Sequence, residues 1–275
     1  MHRLTVIVPY RDRARHLSGF MPHLRAYFAR DKIDRAIPYR VIIVEQDGQQ
    51  PFNRGALLNA GFALAEPDSE YVCFHDIDYL PMWADYSTVD RPTPMVWYGA
   101  EFRPIALGRS EHAVKHDLDS YYSGALLVPT AQFRQVDGYA NTYWGWGFED
   151  VDLKQRFDRA AIALGRRRGT FQALDHDNVG FKLDGTPSAI SQVNQRLFDQ
   201  RWALGATAVA DGLSTLDIQI MRRQSLPDPK PERHADWTMV TVRVKSEPSA
   251  EQTAAVAAGL AALKAKGARP TGKRG

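Results

Sequence analysis

The sequence predicts an α/β protein built on an open, doubly wound sheet. Over residues 4–74, short continuous apolar runs, typical of strands covered on both faces, alternate with segments whose apolar residues recur at helical spacing. Ligands of such sheets bind outside the carboxyl ends of the strands, so polar residues that follow a strand are candidate site residues. The 275 residues are 44% apolar, which is enough for one large domain or two small ones.

The first half of the chain alternates strand and helix. Strands are predicted at residues 4–8, 39–45 and 71–74. Between them, the apolar spacing from Leu17 to Phe28 indicates one helix, whose continuity Pro22 puts in question, and residues 52–65 indicate another. This order of elements supports the doubly wound sheet.

The second half is less regular. Its pattern predicts strands at 95–100, 123–128, 170–174 and 240–244, and helices at 149–164 and 190–204. Glu149, Asp150 and Asp152 lie in a first helical turn, where acidic residues suit the helix dipole without any catalytic role. Residues 175–188 are polar and rich in turn-forming residues, which indicates a candidate mobile loop.

Composition and charge exclude several classes of protein. The single cysteine, Cys73, rules out a disulfide scaffold and a zinc site made of several thiolates. The net charge is +3, but residues 246–275 hold five basic and two acidic residues, so residues 1–245 are neutral and lack the basic face of a nucleic-acid-binding domain. No Gly-rich phosphate loop, Gly-x-Ser-x-Gly turn or cysteine nucleophile is present, which excludes P-loop proteins, hydrolases that use this serine turn, and thiol enzymes.

Two regions and a location are expected from these patterns. Residues 1–245 are predicted to form the folded domain, and residues 246–275 an Ala/Lys-rich basic tail that is helical to about residue 266 and disordered beyond it. A solvated tail is the favoured interpretation, and contact with an anionic membrane is the alternative. No apolar run reaches the length of a membrane span and no signal peptide precedes the first strand, so a cytoplasmic protein is expected.

Three groups of residues could carry chemistry. Asp76 and Asp78 follow a buried strand and lie on the same side of an extended segment. Both can therefore reach one hard cation such as Mn²⁺ or Mg²⁺. Because Asp-x-Asp occurs four times in the chain, the alternative is that this pair simply lies on the surface. In residues 144–150, two tryptophans and two glycines precede Glu149 and Asp150. This pattern is typical of a site where a sugar ring stacks on an aromatic ring beside a carboxylate, and the alternative is a buried aromatic turn. His176 is a candidate metal ligand or an ordinary surface or core residue.

Four motifs occur in order along the chain. They are residues 6–13 (VIVPYRDR), 52–62 (FNRGALLNAGF), 74–81 (FHDIDYLP) and 143–150 (YWGWGFED). Together they resemble the β-1,4-galactosyltransferase family, glycosyltransferase family 7, and the His-Asp-x-Asp form is most similar to the branch that galactosylates xylose on proteoglycan cores. The resemblance, which extends over about residues 3–245, implies a GT-A fold with an acceptor-binding second half, a Mn²⁺ cofactor with Mg²⁺ as the alternative, and transfer from a UDP-sugar with inversion.

The resemblance also implies roles for single residues. The donor pocket would be formed by Pro9, Tyr10, Arg11, Arg13, Phe52, Asn53, Arg54, Asp76, Ile77, Asp78, Tyr121, Gly124 and Trp146. Asp78 and His176 would bind the metal. Trp146, Glu149 and Asp150 would contact the acceptor, with Asp150 as the general base of a single in-line displacement.

Two departures from the family pattern concern the metal and the donor. The family has a methionine or a second histidine shortly before its metal-binding histidine, whereas Ala173 or Leu174 stands there in this chain, so water or a carboxylate such as Asp175 would complete the coordination. A family tyrosine that crowds the 2-position of the donor sugar matches Tyr121, although Ser123 replaces the glycine that follows. UDP-galactose is therefore expected in preference to UDP-N-acetylgalactosamine, which remains an alternative.

Other classes of function remain open at this point. The chain could be a sugar-binding relative without catalysis, or a metal-dependent phosphoester hydrolase. For a transferase, the acceptor would be a sugar hydroxyl of a glycan or glycoconjugate, and neither its identity nor the oligomeric state is set by a sequence pattern.

Overall fold

A central sheet with helices on both faces positions the candidate site. The computed structural model describes residues 3–31, 37–104, 110–114, 121–174, 179–182, 186–203, 210–226 and 236–267. The strands are β1 (Leu4–Tyr10), β2 (Tyr39–Gln46), β3 (Tyr71–His75), β4 (Tyr79–Trp83), β5 (Thr93–Pro94), β6 (Val96–Pro104), β7 (Ser110–Val114), β8 (Ala125–Pro129), β9 (Gly169–Ala173), β10 (Ile218–Ser225) and β11 (Asp236–Val244). The helices are α1 (Ala14–Asp31), α2 (Arg54–Ala65), α3 (Thr130–Gln135), α4 (Glu149–Arg159), α5 (Ala189–Ala203) and α6 (Ala250–Gly267).

The strands form two sheets. The larger has the order β10-β11-β2-β1-β3-β8-β5, in which β11, β2, β1 and β3 run parallel and the strands outside them pair antiparallel. The smaller sheet has the order β4-β9-β6-β7 and was not predicted. Because β4 starts one residue after Asp78, the smaller sheet adjoins the carboxyl end of β3.

Alternate residues of the central strands pack into two separate cores. On one face, Val6 and Ile43 pack with Phe20 and Leu24 of α1. On the other face, Ile7, Ile42 and Phe74 pack with α2 and with Phe133. Burial on both faces explains why these strands appear in the sequence as continuous apolar runs rather than as alternating patterns.

Two helices differ from their predicted course. α1 continues through Pro22, which lies on the exposed face of the helix, where water can replace the missing hydrogen bond. α4 ends at Arg159 rather than at residue 164, because Ala161 adopts a φ of 55° and the amide of Ile162 turns back to the carbonyl of Phe157 at 2.9 Å.

The C-terminal region is helical, as predicted, but the expected solvated tail is wrong for its described part. α6 packs on α5, and Gln252, Ala255 and Val256 are buried in that contact. Apolar burial on one side of the Ala-rich helix is the physical reason. Residues 268–275 lie outside the described residues, and among the described helices none is long and apolar enough to cross a membrane.

Candidate active site

Arg54, the first residue of α2, lies at the centre of the candidate site. Its Nε donates to Asp76 Oδ1 at 2.8 Å, and its Nη1 donates to Asp150 Oδ1 at 2.7 Å. The same Nη1 lies 3.5 Å from Glu149 Oε1. One guanidinium therefore joins the residue after β3 to the first two residues of α4. Asp150 lies 96 positions after Arg54 along the chain.

The charged groups of this cluster shift one another's pKa values. Burial acts to lower the pKa of Arg54, but the attraction of Asp150 and Asp76 raises it well above its ordinary value. Burial and repulsion by Asp150 raise the pKa of Glu149 to about 7. Burial also raises the pKa of Asp76, against the opposing effect of Arg54. Three carboxylates thus surround the one guanidinium of Arg54.

The raised pKa of Glu149 predicts a pH-dependent stability. The folded state binds a proton that the unfolded state releases, so Glu149 makes unfolding easier as pH rises from about 4.5 to about 7. We expect Glu149→Gln to be more stable than the parent by about 3 kcal/mol at pH near 8 and nearly equal at pH near 4.5. Melting temperatures across this pH range, with the exposed Glu251→Gln as control, measure the effect; a constant difference at all pH values would contradict it.

Asp78 lies close to the segment that leads to His176. Its carboxylate is 10% exposed and its Oδ2 lies 3.6 Å from Arg13 Nη1. Its carbonyl accepts the amide of Leu174 at 2.7 Å, so the chain two residues before His176 is tied to Asp78. His176 itself and Asp175 lie outside the described residues, within which no group of three His, Cys, Asp or Glu side chains could hold a metal ion.

The charges of the site fit a divalent cation. Among the described residues, ion pairs join Asp76, Glu149 and Asp150 to Arg54, and Asp78 lies 3.6 Å from Arg13. Carboxylate oxygens are the donors that Mn²⁺ and Mg²⁺ prefer.

The end of β1 meets the start of α2 beside this cluster. The guanidinium of Arg11 lies 5.5 Å from the centroid of the Phe52 ring, and its Nη1 donates to the carbonyl of Gln50 at 2.5 Å. Pro9 and Tyr10 are buried at the end of the strand. The predicted donor residues from the first two motifs are thus brought together in the structure.

Three residues with predicted donor roles have structural roles in the described fold. Asn53 is fully buried, caps α2 by accepting from the amide of Ala56 at 2.9 Å, and donates to the carbonyl of Asn141 at 2.7 Å. Ile77 is 3% exposed in the core. Gly124 accepts the amide of Asp76 at 2.8 Å. Since the side chains of Asn53 and Ile77 point inward, a donor could contact only their main chain.

Trp146 lies on a glycine-rich loop directly before α4. Its ring packs edge-on to Phe181 at a centroid distance of 4.8 Å, and a Cβ on Gly180 would collide with it. The backbone of Gly145, Gly147 and Phe148 has φ of 86°, 93° and 75°, a left-handed conformation that favours glycine. Of the predicted mobile loop 175–188, residues 179–182 and 186–188 pair with each other through main-chain hydrogen bonds, and the rest lies outside the described residues.

Tyr121 lies within electrostatic reach of the cluster. Its hydroxyl lies 2.9 Å from that of Tyr79. Burial, Tyr79 and the carboxylate of Asp76 raise its pKa well above the ordinary value. Tyr121 therefore presents a neutral hydroxyl close to Asp76 and Asp150.

Several supporting residues have contacts that the sequence does not predict. The ring of Tyr139 lies 5.9 Å from the Arg54 guanidinium, and the hydroxyl of Ser123 donates to Asp76 Oδ2 at 3.4 Å. Asn59, in the second motif, holds the loop before the tryptophans by pairing with both main-chain groups of Tyr139. No spacing rule connects residues so far apart in sequence, so only the structure identifies them.

Comparisons with known proteins match the sequence of this chain to one family. Residues 1–88 match the model of the N-terminal region of glycosyl transferase group 7, and residues 103–177 match the model of the N-terminal domain of galactosyltransferase. β-1,4-Galactosyltransferase 7 of Homo sapiens is 30% identical over 232 residues, which cover 82% of this chain and 64% of the relative. β-1,4-Galactosyltransferase 4 of Rattus norvegicus is 27% identical over 235 residues, which cover 82% of this chain and 61% of the relative. The chain thus spans less than two thirds of these relatives.

Solved structures share the fold. The catalytic domain of Drosophila β1,4-galactosyltransferase 7 in complex with xylobiose is 22% identical, with a TM-score of 0.66 over 93% of this chain and 99% of that one. A mutant of that enzyme in complex with manganese, UDP-Gal and xylobiose gives a TM-score of 0.65 at 21% identity over the same shares. These likenesses confirm the predicted GT-A fold.

Proposed function

Because the chain belongs to glycosyltransferase family 7, we propose that it is an inverting, metal-dependent galactosyltransferase that moves galactose from UDP-galactose to a sugar hydroxyl and forms a β-linkage. The observation that carries the proposal is the Arg54 cluster. It holds Asp76, beside the expected donor, and Glu149 and Asp150, beside the expected acceptor, on one buried guanidinium. Such positioning of two reactants is a large part of catalysis by transferases.

Asp150 is the proposed general base. It lies in the first turn of α4, and its Oδ1 accepts a hydrogen bond from Arg54 Nη1 at 2.7 Å. Asp150 takes the proton of the acceptor hydroxyl as that oxygen bonds to the anomeric carbon and the bond to UDP breaks. One displacement inverts the carbon, so no protein nucleophile is required.

Asp78 and His176 are the proposed ligands of Mn²⁺, with Mg²⁺ as the alternative. The bound ion would supply positive charge to the departing diphosphate. Arg13, which lies beside Asp78, and Arg11, on the ring of Phe52, add cationic side chains to the same edge of the sheet. A UDP group, with its two phosphates and its flat base, matches these neighbouring cationic and aromatic side chains.

The location and the acceptor are also proposals. Cys73 is a buried free thiol, which suits the reducing cytoplasm. The solved relative that binds xylobiose makes a β-xyloside the first acceptor to test. A UDP-N-acetylgalactosamine-using transferase and a sugar-binding protein without catalysis remain the alternatives.

The proposal predicts metal-dependent transfer of galactose. We expect β-galactoside product from UDP-galactose, Mn²⁺ and a panel of β-glycosides, with a lower kcat/KM for UDP-N-acetylgalactosamine, and loss of turnover in EDTA that added Mn²⁺ restores. UDP release that is equal with and without acceptor would indicate hydrolysis instead. Turnover unchanged in EDTA would remove the metal from the proposal.

A further inference from the structure

A buried amide pair lies beneath the loop that carries Trp146. Gln252 of α6 donates through Nε2 to Asn194 Oδ1 at 3.0 Å and to the carbonyl of Thr142 at 3.0 Å. Asn194 of α5 donates through Nδ2 to three loop carbonyls, those of Trp144 at 3.0 Å, Trp146 at 3.0 Å and Gly147 at 3.3 Å. Asn194 is fully buried and Gln252 is 2% exposed. Buried amides with every group paired fix the conformation around them.

The orientation of Gln252 is itself fixed by the start of α6. The amide of Ser249 donates to Gln252 Oε1 at 3.0 Å, and the amide of Gln252 donates to Ser249 Oγ at 3.1 Å. This reciprocal cap leaves Nε2 of Gln252 directed at Asn194 and Thr142.

The same helix also touches the loop through apolar contacts. A Cβ on Gly145 would lie 2.6 Å from Val256 Cγ2 and 2.7 Å from Ile190 Cγ1, so α6 and α5 lie directly against this glycine. Trp146 and Val179 pack against the small core that Ala255 and Val256 form with α5. The glycines give the loop little rigidity of its own, so its shape depends on these two helices.

We propose that Gln252 is a positioning residue for sugar binding, acting through Asn194 on the Trp146 loop. The inference rests on the proposed function for the role of the loop. Both residues lie outside the segments that match the family models, residues 1–88 and 103–177. Asp150 is held separately by Arg54, so loss of Gln252 weakens sugar binding more than it slows the chemical step.

The test compares Gln252→Met, which keeps the length of the side chain but has no donor, with Thr253→Val. Thr253 is exposed and bonds the carbonyl of Ser249 in the same turn of α6, away from the loop. Gln252→Glu is the second variant. It retains an oxygen that can accept from the amide of Ser249, and it replaces the donor Nε2 by a second oxygen. Hydrogen exchange of amides 144–148 and steady-state kinetics with varied acceptor are measured for each.

We expect exchange in residues 144–148 to be about tenfold faster in both Gln252 variants and unchanged in Thr253→Val. The acceptor KM rises about tenfold while kcat changes little. Unchanged exchange in the loop, or an equal rise of KM in Thr253→Val, would overturn the proposal. If the parent protein transfers no sugar, the proposed function fails, and the exchange measurement still decides whether Gln252 orders the loop.

Discussion

Replacement of Asp150 by asparagine is expected to lower kcat by about 10²- to 10⁴-fold, which is the range that a general base contributes. Asparagine keeps the size of the side chain and can still accept a hydrogen bond from Arg54, so the cluster stays assembled. It cannot take the proton of the acceptor hydroxyl. Titration calorimetry with UDP and Mn²⁺ is expected to give the same donor affinity as for the parent, because the loss concerns the acceptor proton.

The matched control for this experiment lies on the same helix. Asp158 is 43% exposed and pairs with Lys154 four residues earlier, so Asp158→Asn removes one carboxylate from α4 far from the cluster. We expect full activity in that variant. If Asp150→Asn retains transfer within about tenfold of the parent, the base must be another group, and Glu149, with its pKa of about 7, becomes the candidate.

The sequence predicts the central sheet because burial on both faces leaves a local mark. β1, β2 and β3 are continuous apolar runs, and the residues after their ends contain Asp76, Asp78 and the arginines of the first motif. The smaller sheet is marked only in part, because strands are predicted at the positions of β6 and β9 but not at that of β4. β4 contains Pro81 and ends in the exposed Met82 and Trp83, so it has neither an apolar run nor an alternating pattern.

The sequence predicts only part of how the candidate site is built, because residues of one motif have two different roles: some pair with other side chains of the site and some hold a loop. In the second motif, Arg54 joins three carboxylates, whereas Asn53 and Asn59 hold the backbone of residues 139–141. A resemblance assigns such neighbours to the same role, since spacing alone does not distinguish a side chain that faces a ligand from one that supports a loop. Gln252 could not be predicted for the opposite reason, because the two groups to which its side-chain amide donates lie 58 and 110 positions away along the chain.

Loss of the Arg54 guanidinium is expected to give the largest effect on stability. In Arg54→Met, the carboxylates of Asp76, Glu149 and Asp150 remain buried without their shared cation, and breaking such a buried network costs about 3–5 kcal/mol of unfolding free energy. The loss is expected to shrink toward pH near 5, where Glu149 is protonated, and to be largest above pH near 7. Urea unfolding at several pH values measures both the size and the pH dependence.

Two further variants separate charge from geometry at this position. Arg54→Lys keeps the positive charge, but one ammonium cannot make the separate bonds of Nε to Asp76 and Nη1 to Asp150, so we expect most of the stability and little of the activity to return. Arg243→Met removes an arginine that is 51% exposed and paired with Asp47, and an exposed pair of this kind contributes about 1 kcal/mol or less. An equal loss of stability in Arg54→Met and Arg243→Met, or a loss in Arg54→Met that does not vary with pH, would contradict a buried network of carboxylates. If Arg54→Lys restores the unfolding free energy but not the transfer of galactose, stability depends on the positive charge and transfer depends on the planar guanidinium. That result would support Arg54 as the residue that holds Asp76 and Asp150 in one geometry.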